Sequence, residues 1–206
     1  MSPRVLDPAV GSIAATAAAN PDLVTLASAV RSCTACAELA ASRTTVVVGD
    51  LPPQPRLVVV GEAPGANEDL VGRPFVGKGG QLLDELMAAA GLAREDAAVL
   101  NVLKCRPPAN RTPTRAEAAR CVGWLDRQVE LIDPPLVLTL GRTALTWALG
   151  ARVTLESARG CIHDWRGRRL VVSYHPAAAI RFGPNGAPRA ALEADLRYVA
   201  AALSCP

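Results

Sequence analysis

The sequence predicts an α/β protein in which helices cover both faces of a central four-stranded parallel sheet, a three-layer α/β/α arrangement. Short apolar segments alternate along the chain with longer segments whose apolar residues recur every three or four positions. An uninterrupted apolar run is typical of a strand that is buried on both faces, as in parallel sheets. A chain of 206 residues can bury such a core without disulfides.

Proline, glycine and capping residues separate the expected helices and strands along the chain. Helical spacing at residues 22–36 predicts a first helix. Buried strands are expected at residues 56–60, 98–103, 136–140 and 170–173, and helices at 80–90, 113–132, 142–149 and 190–203. Thr112 or Thr114 is the expected cap of the long helix, with Glu117 in its first turn, and Pro134 stops it.

Composition divides the chain into two parts. The Ala-rich residues 1–20 predict a flexible N-terminal lead, and residues 21–206 a single domain. No apolar stretch is long enough for a membrane helix, and a net charge of +3 excludes a histone-like polycation. We expect a monomer in the cytoplasm, associated with the nucleoid when it acts, where thiols stay reduced.

Polar sequence follows three of the four predicted strands. These segments read GEAPG at residues 61–65, NVLKC at 101–105 and YHP at 174–176. In open α/β sheets, ligands bind at the carboxyl ends of the strands. The sequence therefore predicts one site at this edge of the sheet.

Four of the six cysteines have spacings that suit a metal site. Cys33 and Cys36 form a C-x-x-C pair, and Cys105 and Cys121 complete four thiols if the fold brings the pairs together. Buried apolar cysteines are the alternative, and spacing alone does not separate zinc from an iron–sulfur cluster. We expect Cys161 and Cys205 to be spare, since neither has a partner at ligand spacing.

Three motifs carry a resemblance to a known family. They read GEAPGANEDLVGRPFVGKGGQ at residues 61–81, NVLKCRPP at 101–108 and YHPAAAIR at 174–181. In this order they resemble the motifs of the family 4 uracil-DNA glycosylases, the iron–sulfur class. The resemblance implies an enzyme that flips uracil out of single- or double-stranded DNA and hydrolyses its N-glycosidic bond, leaving an abasic site. It also implies that the four cysteines hold a structural [4Fe–4S] cluster, with zinc as the alternative.

The resemblance also implies roles for the residues that handle the base. Phe75 would stack on the flipped uracil, and the Asn101 amide can match uracil N3–H and O4. A donor on His175 near uracil O2 would stabilise the charge that develops on the leaving base. The loop carrying Ala63 and Gly65 would contact the base.

Two carboxylates on the first loop are further candidates for catalysis. By resemblance, Glu62 lies on the loop that contacts the base, and Glu68 lies near the pocket. Either can place the attacking water. Better-known uracil glycosylases carry Asp where this motif has Ala63, so hydrolysis is expected to follow a dissociative path.

Phosphate contacts are expected where a glycine-rich loop enters a helix. Lys78 and Gly79 begin that helix, whose free N–H groups attract anions. The segment after His175 resembles the one that relatives insert into the duplex; here Ile180 or Arg181 would fill the gap, since Ala179 is a poor wedge. Arginines that either contact phosphate or are simply solvated are Arg106, Arg111 and Arg142.

Two other functions remain open at this point. One is a non-hydrolytic or covalent uracil-DNA-binding protein of the same superfamily. Residues 106–120 contain no histidine, which argues against covalent capture. The other is a zinc-stabilised nucleotide-binding module without catalysis.

Overall fold

Within residues 7–204, which the computed structural model describes, the central sheet contains five strands. They are β1 (Leu57–Gly61), β2 (Ala97–Asn101), β3 (Leu136–Leu140), β4 (His163–Trp165) and β5 (Arg168–Ser173). Their order is β2-β1-β3-β5-β4. Because β1, β2, β3 and β5 pair in parallel, their carboxyl ends meet at one edge of the sheet.

The α/β class is confirmed, but the expected number of four strands is wrong. Strand β4 adds an antiparallel edge to β5. Arg166 and Gly167 join the two strands and both have positive φ, as a two-residue hairpin turn requires. Strand β4 was not predicted because it has only three residues, of which His163 and Asp164 are polar. The predicted second strand also ends earlier than expected, at Asn101.

Helices cover both faces of the sheet. They are α1 (Pro8–Ala18), α2 (Leu23–Arg31), α3 (Ala37–Ser42), α4 (Ala66–Val71), α5 (Lys78–Ala89), α6 (Arg115–Ile132), α7 (Gly141–Leu149), α8 (Leu155–Ala158), α9 (Pro176–Phe182) and α10 (Ala187–Ser204). Thr114 caps α6 in a capping box with Glu117, as one of the two predicted caps. Among the described residues, no helix has the length and apolarity to cross a membrane.

Alternate residues of the strands enter two separate cores. Val58 and Val60 of β1 pack in the cluster that contains apolar residues of α1, α2 and α6. Leu57 and Val59 pack in the other cluster, with α5 and α10. All four side chains are buried, which explains why β1 reads as an uninterrupted apolar run.

The N-terminal segment differs from the expected flexible lead. Asp7 caps α1 by accepting a hydrogen bond from Ala9 N (3.0 Å) and pairs with Arg120 of α6 (2.6 Å). Ile13 and Ala17 are buried in the first core. A Cβ on Gly123 of α6 would lie 3.1 Å from the backbone of α1, so this glycine permits the close approach of the two helices. Residues 1–6 of the expected lead lie outside the described residues.

A buried ion pair fastens α10 to the end of β5. The Asp195 carboxylate accepts two hydrogen bonds from the Arg159 guanidinium (2.8 and 3.1 Å) and one from Ser173 Oγ (2.5 Å). The same guanidinium lies over the Tyr174 ring, 4.8 Å from its centroid. Together these contacts hold the two residues that precede His175.

Replacing Asp195 with Ala should lower the free energy of unfolding by about 3–5 kcal/mol, because Arg159, whose side chain is 20% exposed, would keep its charge without that partner and Ser173 Oγ would lose its acceptor. Urea unfolding measures this loss. Glu193→Gln is the matched control on the same helix, since the ion pairs of Glu193 are more exposed and should contribute less than about 1 kcal/mol. Equal losses in the two variants would contradict the role given to Asp195.

Candidate functional site

A cavity of about 430 Å³ opens at the carboxyl ends of β1, β2, β3 and β5. It is lined by every residue that was predicted to act in catalysis or base binding: Glu62, Ala63, Gly65, Glu68, Phe75, Asn101 and His175. Lys78 and Gly79 also line it, whereas Ile180 and Arg181 do not. Residues that are separated by more than 100 positions in sequence therefore share one cavity. It lies at the edge of the sheet where the polar segments after the strands predicted a single site.

Phe75 is fixed between two glycines. It has a φ of 55°, is 7% exposed and belongs to the second core as well as to the cavity wall. A Cβ on Gly80 would lie 1.7 Å from the Phe75 carbonyl oxygen, and one on Gly61 would lie 2.5 Å from Phe75 Cζ. The Phe75 ring stacks on that of His175, with centroids 5.5 Å apart. These contacts give the cavity a rigid aromatic wall.

Asn101 ends β2 with a side-chain oxygen that has no protein partner. The residue is 4% exposed, and Oδ1 is buried without a hydrogen bond. Its backbone pairs in register with Gly61 of β1, and a Cβ on Gly61 would lie 2.5 Å from Oδ1. Leaving a buried acceptor unpaired costs about 1–3 kcal/mol. Such a group at a cavity wall is suited to a ligand that donates to it.

His175 caps α9 and is held in one tautomer by that position. Its Nδ1 accepts a hydrogen bond from Ala177 N (3.2 Å), so the neutral ring carries its proton on Nε2. Burial lowers the pKa of His175 to about 4, against an opposing effect of Glu68. The ring is therefore a neutral donor at physiological pH.

The low pKa of His175 predicts an uncharged ring throughout the neutral range. In ¹⁵N NMR spectra, we expect the His175 ring signals to stay constant from about pH 8 to about pH 5. The folded protein disfavours protonation of His175, whose pKa is 6.5 in the unfolded chain and about 4 in the folded protein. The contribution of this group to the free energy of unfolding is therefore complete above about pH 6.5 and is lost as the pH falls from there towards 4. The His163→Gln variant assigns the signals. A ring that titrates near pH 6.5 would contradict this prediction.

Glu68 organises the loop rather than presenting a free carboxylate. Its Oε2 accepts from Gly65 N (3.1 Å), and its Oε1 accepts from Val76 N and Gly77 N (3.0 and 2.9 Å). Glu68 therefore lies at the pocket, as predicted, but its carboxylate already accepts hydrogen bonds from three backbone N–H groups. Glutamate three positions after Gly65, the N-cap of α4, has the spacing of one half of a capping box: Glu68 bonds to Gly65 N, and glycine has no side chain to return the bond.

Glu62 has a partner that sequence reasoning missed. Thr143, in the first turn of α7, donates its hydroxyl hydrogen to Glu62 Oε2. The backbone of Glu62 is fixed as well, since its carbonyl accepts from Leu103 N (3.0 Å). Glu62 is thus the less encumbered of the two predicted carboxylates in this cavity.

The start of α5 lines the cavity, whereas the end of α9 does not. Helix α5 begins at Lys78 without a side-chain cap, which leaves its first N–H groups available to an anion. In α9, Ala179 is buried and Ile180 is 45% exposed. Phe182, which the sequence reasoning did not consider, is 65% exposed and is the largest exposed apolar side chain of that helix.

The four predicted thiols line a second, smaller cavity beside the first. Apolar side chains form most of its remaining wall, and the thiols are those of Cys33, Cys36, Cys105 and Cys121. Cys105 Sγ accepts from Arg43 Nη1 (2.9 Å), and Cys121 Sγ accepts from Lys104 N (3.3 Å). Cys161 lies apart and is exposed, and Cys205 lies outside the described residues.

The chemistry of this donor set fits a thiolate-bound group. Burial raises the pKa of Cys36 and of Cys105, and raises that of Cys121 to about 12, so these thiols ionise only beside a positive charge. Arg43, Arg120 and Lys104 partly offset the burial. Within residues 7–204, no three His, Cys, Asp or Glu side chains converge on a single ion position.

Comparison with known proteins agrees with this geometry. The family model of the uracil DNA glycosylase superfamily matches residues 48–197, and the chain belongs to that superfamily. Within it, the chain is similar to the Type-4 uracil-DNA glycosylase of Thermotoga maritima, with 45% identity over 80% of this chain and 86% of the relative. The Type-4 enzymes of Saccharolobus solfataricus (40% identity; 90% and 87% covered) and Archaeoglobus fulgidus (40%; 73% and 79%) are also similar. The predicted resemblance to family 4 is confirmed.

Proposed function

We propose that the protein is a DNA repair glycosylase that flips uracil out of single- or double-stranded DNA and hydrolyses its N-glycosidic bond. The observation that carries this proposal is the unpartnered, buried Asn101 Oδ1 in a cavity shared with neutral His175. An acceptor that already lacks a protein partner is completed by the N3–H of uracil. Cytosine has no hydrogen on N3 and would leave that acceptor unpaired, which gives the site a basis for discrimination.

The reaction separates charge, and the cavity residues respond to it. When the C1′–N1 bond breaks, its electron pair passes to the uracil ring and negative charge develops on O2. The Nε2–H of His175 donates to that oxygen; because the ring is already neutral, it stabilises the charge by a hydrogen bond and keeps its proton, whose loss would leave an imidazolate anion. The wall formed by Phe75 stacks against the flipped ring.

Water completes the reaction at C1′. Ala63 supplies no carboxylate at the position where better-known relatives carry Asp, so bond breaking precedes attack and the sugar becomes oxocarbenium-like. Glu62 orients the water, with Thr143 holding its carboxylate, while Glu68 keeps the surrounding loop in place. The water oxygen bonds to C1′ and loses a proton to solvent, and the departing uracil anion takes up a proton from solvent, which leaves an abasic site and free uracil.

The DNA backbone is held by the groups that flank the cavity. Lys78 and the backbone N–H of Gly79 at the start of α5 bind phosphate. Ile180 and Arg181 of α9, which are both exposed, fill the space that the flipped base leaves in the duplex. We further propose that the protein acts as a monomer inside the cell. Salt should weaken binding steeply because phosphate contacts release counterions.

The four cysteines, in the same proposal, hold a structural [4Fe–4S] cluster between α2, α3, β2 and α6. When bound, the cluster would supply crosslinking between these elements and no chemical step. The four thiols around one largely apolar cavity support this assignment; that of Cys105 is buried and the other three are partly buried. Zinc is the alternative, and iron, sulfide and zinc analysis of the purified protein distinguishes the two.

The test is a glycosylase assay on uracil-containing oligonucleotides, followed by alkaline cleavage at abasic sites. We expect cleavage of uracil strands and none of matched cytosine or thymine strands. Single-stranded DNA is the cleaner substrate because unstacking costs less there. A denaturant-resistant protein–DNA complex without cleavage would support covalent capture instead, and binding without either product would support a nucleotide-binding module.

A further inference from the structure

Lys104 lines the thiol cavity and donates a hydrogen bond to Asn101, a residue that lines the first cavity. Its backbone N donates to Cys121 Sγ (3.3 Å), and its Nζ donates to the Asn101 carbonyl oxygen (2.9 Å). The side chain is 1% exposed and lines the thiol cavity. One residue therefore connects a predicted cluster ligand with the strand end that carries the base-reading amide.

The ammonium of Lys104 has more donors than partners. It carries three N–H groups, and the hydrogen bond to Asn101 is the only one that it makes within the described residues. A buried cation requires negative partners. The chain uses Arg at 20 of its 22 basic positions, yet it places Lys here. A compact ammonium fits a buried site that offers one backbone carbonyl on the wall of a cavity shared with Cys105 and Cys121.

The backbone around Lys104 is fixed on both sides. Val102 N and Leu103 N bond to the carbonyls of Gly61 and Glu62 (both 3.0 Å), and the Lys104 carbonyl accepts from Val47 N (2.8 Å). The turn after β2 is thus tied to the loop after β1. Because this backbone is held on both sides, a shift of the ammonium would also shift the Asn101 carbonyl to which it donates.

We propose that Lys104 is a positioning residue that couples the two sites: its ammonium compensates the negative charge of the thiolate-held group and holds the Asn101 carbonyl in place. This proposal rests on the proposed function and on the assignment of the four cysteines. It assigns Lys104 no contact with the base.

Lys104→Met tests the proposal, because methionine keeps much of the length and apolar volume but has no charge and no donor. Gln128→Met is the matched control: Gln128 is also 1% exposed, its Nε2 donates to the Val48 carbonyl (3.0 Å), and it lines neither cavity. Lys104→Gln is the second variant, since it removes the charge and keeps an N–H donor.

Three measurements are made on each purified protein: iron and sulfide content, the rate at which the visible absorbance bleaches in air, and kcat and KM on single-stranded uracil DNA. We expect Lys104→Met to bleach roughly tenfold faster and to lose roughly tenfold in kcat with little change in KM. Lys104→Gln should bleach as fast and keep more of its kcat. Gln128→Met should lower thermal stability alone.

Failure of the Lys104 proposal can be distinguished from failure of the proposed function. A wild-type protein without glycosylase activity overturns the proposed function, while the iron and bleaching measurements still test the charge compensation. If the wild type is active and both Lys104 variants keep wild-type bleaching and kcat, the coupling is wrong. If Gln128→Met matches Lys104→Met in bleaching and kcat, the effects come from lost stability, which also overturns it.

Discussion

Asn101→Asp should lower the rate of uracil excision from single-stranded DNA by about 10²- to 10³-fold, the usual cost of losing one well-placed polar group at a reacting centre. Aspartate keeps the shape of the amide and replaces its two N–H donors by a second acceptor. A carboxylate beside uracil O4 and the leaving base adds repulsion where the native amide donates.

The same substitution should leave thermal stability nearly unchanged, because the Asn101 side chain lines the open cavity and makes no hydrogen bond within residues 7–204 that the substitution would break. Single-turnover assays with excess enzyme measure excision, and thermal unfolding measures stability. The control is Asn20→Asp, the same chemical change on the surface next to α1, which should keep full activity. If Asn101→Asp also excises uracil at the native rate, Asn101 does not read the base.

Cys121→Ser should remove the metal, the colour and much of the stability, with a loss of more than about 4 kcal/mol in the free energy of unfolding. Burial raises the pKa of the Cys121 thiol to about 12 although Lys104 opposes this, so a bound cationic group is needed to hold it as the thiolate at neutral pH. A serine hydroxyl is a far poorer ligand for iron or zinc. The remaining three thiols would then surround an incomplete site.

Iron and sulfide analysis, visible spectra and chemical denaturation together measure the effect of Cys121→Ser. Cys161→Ser is the matched control, since that thiol is exposed and lies outside the thiol cavity. It should keep metal, colour and stability. A Cys121→Ser protein with the metal content and stability of the wild type would show that the four cysteines do not act as one site.

The sequence was sufficient to predict the edge of the sheet on which the cavity lies. Polar segments after β1, β2 and β5 had to meet there, because parallel strands place their carboxyl ends together. The cysteine spacing likewise predicted which four thiols share a cavity. These features depend on local patterns and on topology, both of which a single sequence carries.

Contacts between distant side chains were not predictable in the same way. Thr143 meets Glu62 across 81 positions, and nothing in the sequence around either residue indicates the pairing. Lys104 contradicts the usual expectation that lysine is exposed, because its partners come from the tertiary fold. Strand β4 was too short and too polar to give a periodic signal.

Helix α1 has a consequence for how long the proposed cluster survives. Ile13 of α1 forms part of the wall of the thiol cavity, and the Asp7–Arg120 ion pair holds the helix start against α6. Helix α1 packs mainly on α6, and such a segment can open at a lower free-energy cost than the whole domain unfolds. Local opening of this helix would expose the Ile13 side of the thiol cavity to oxygen and chelators while the sheet stays folded. The loss of the proposed cluster in air would then depend on the opening of α1 as well as on unfolding of the whole domain.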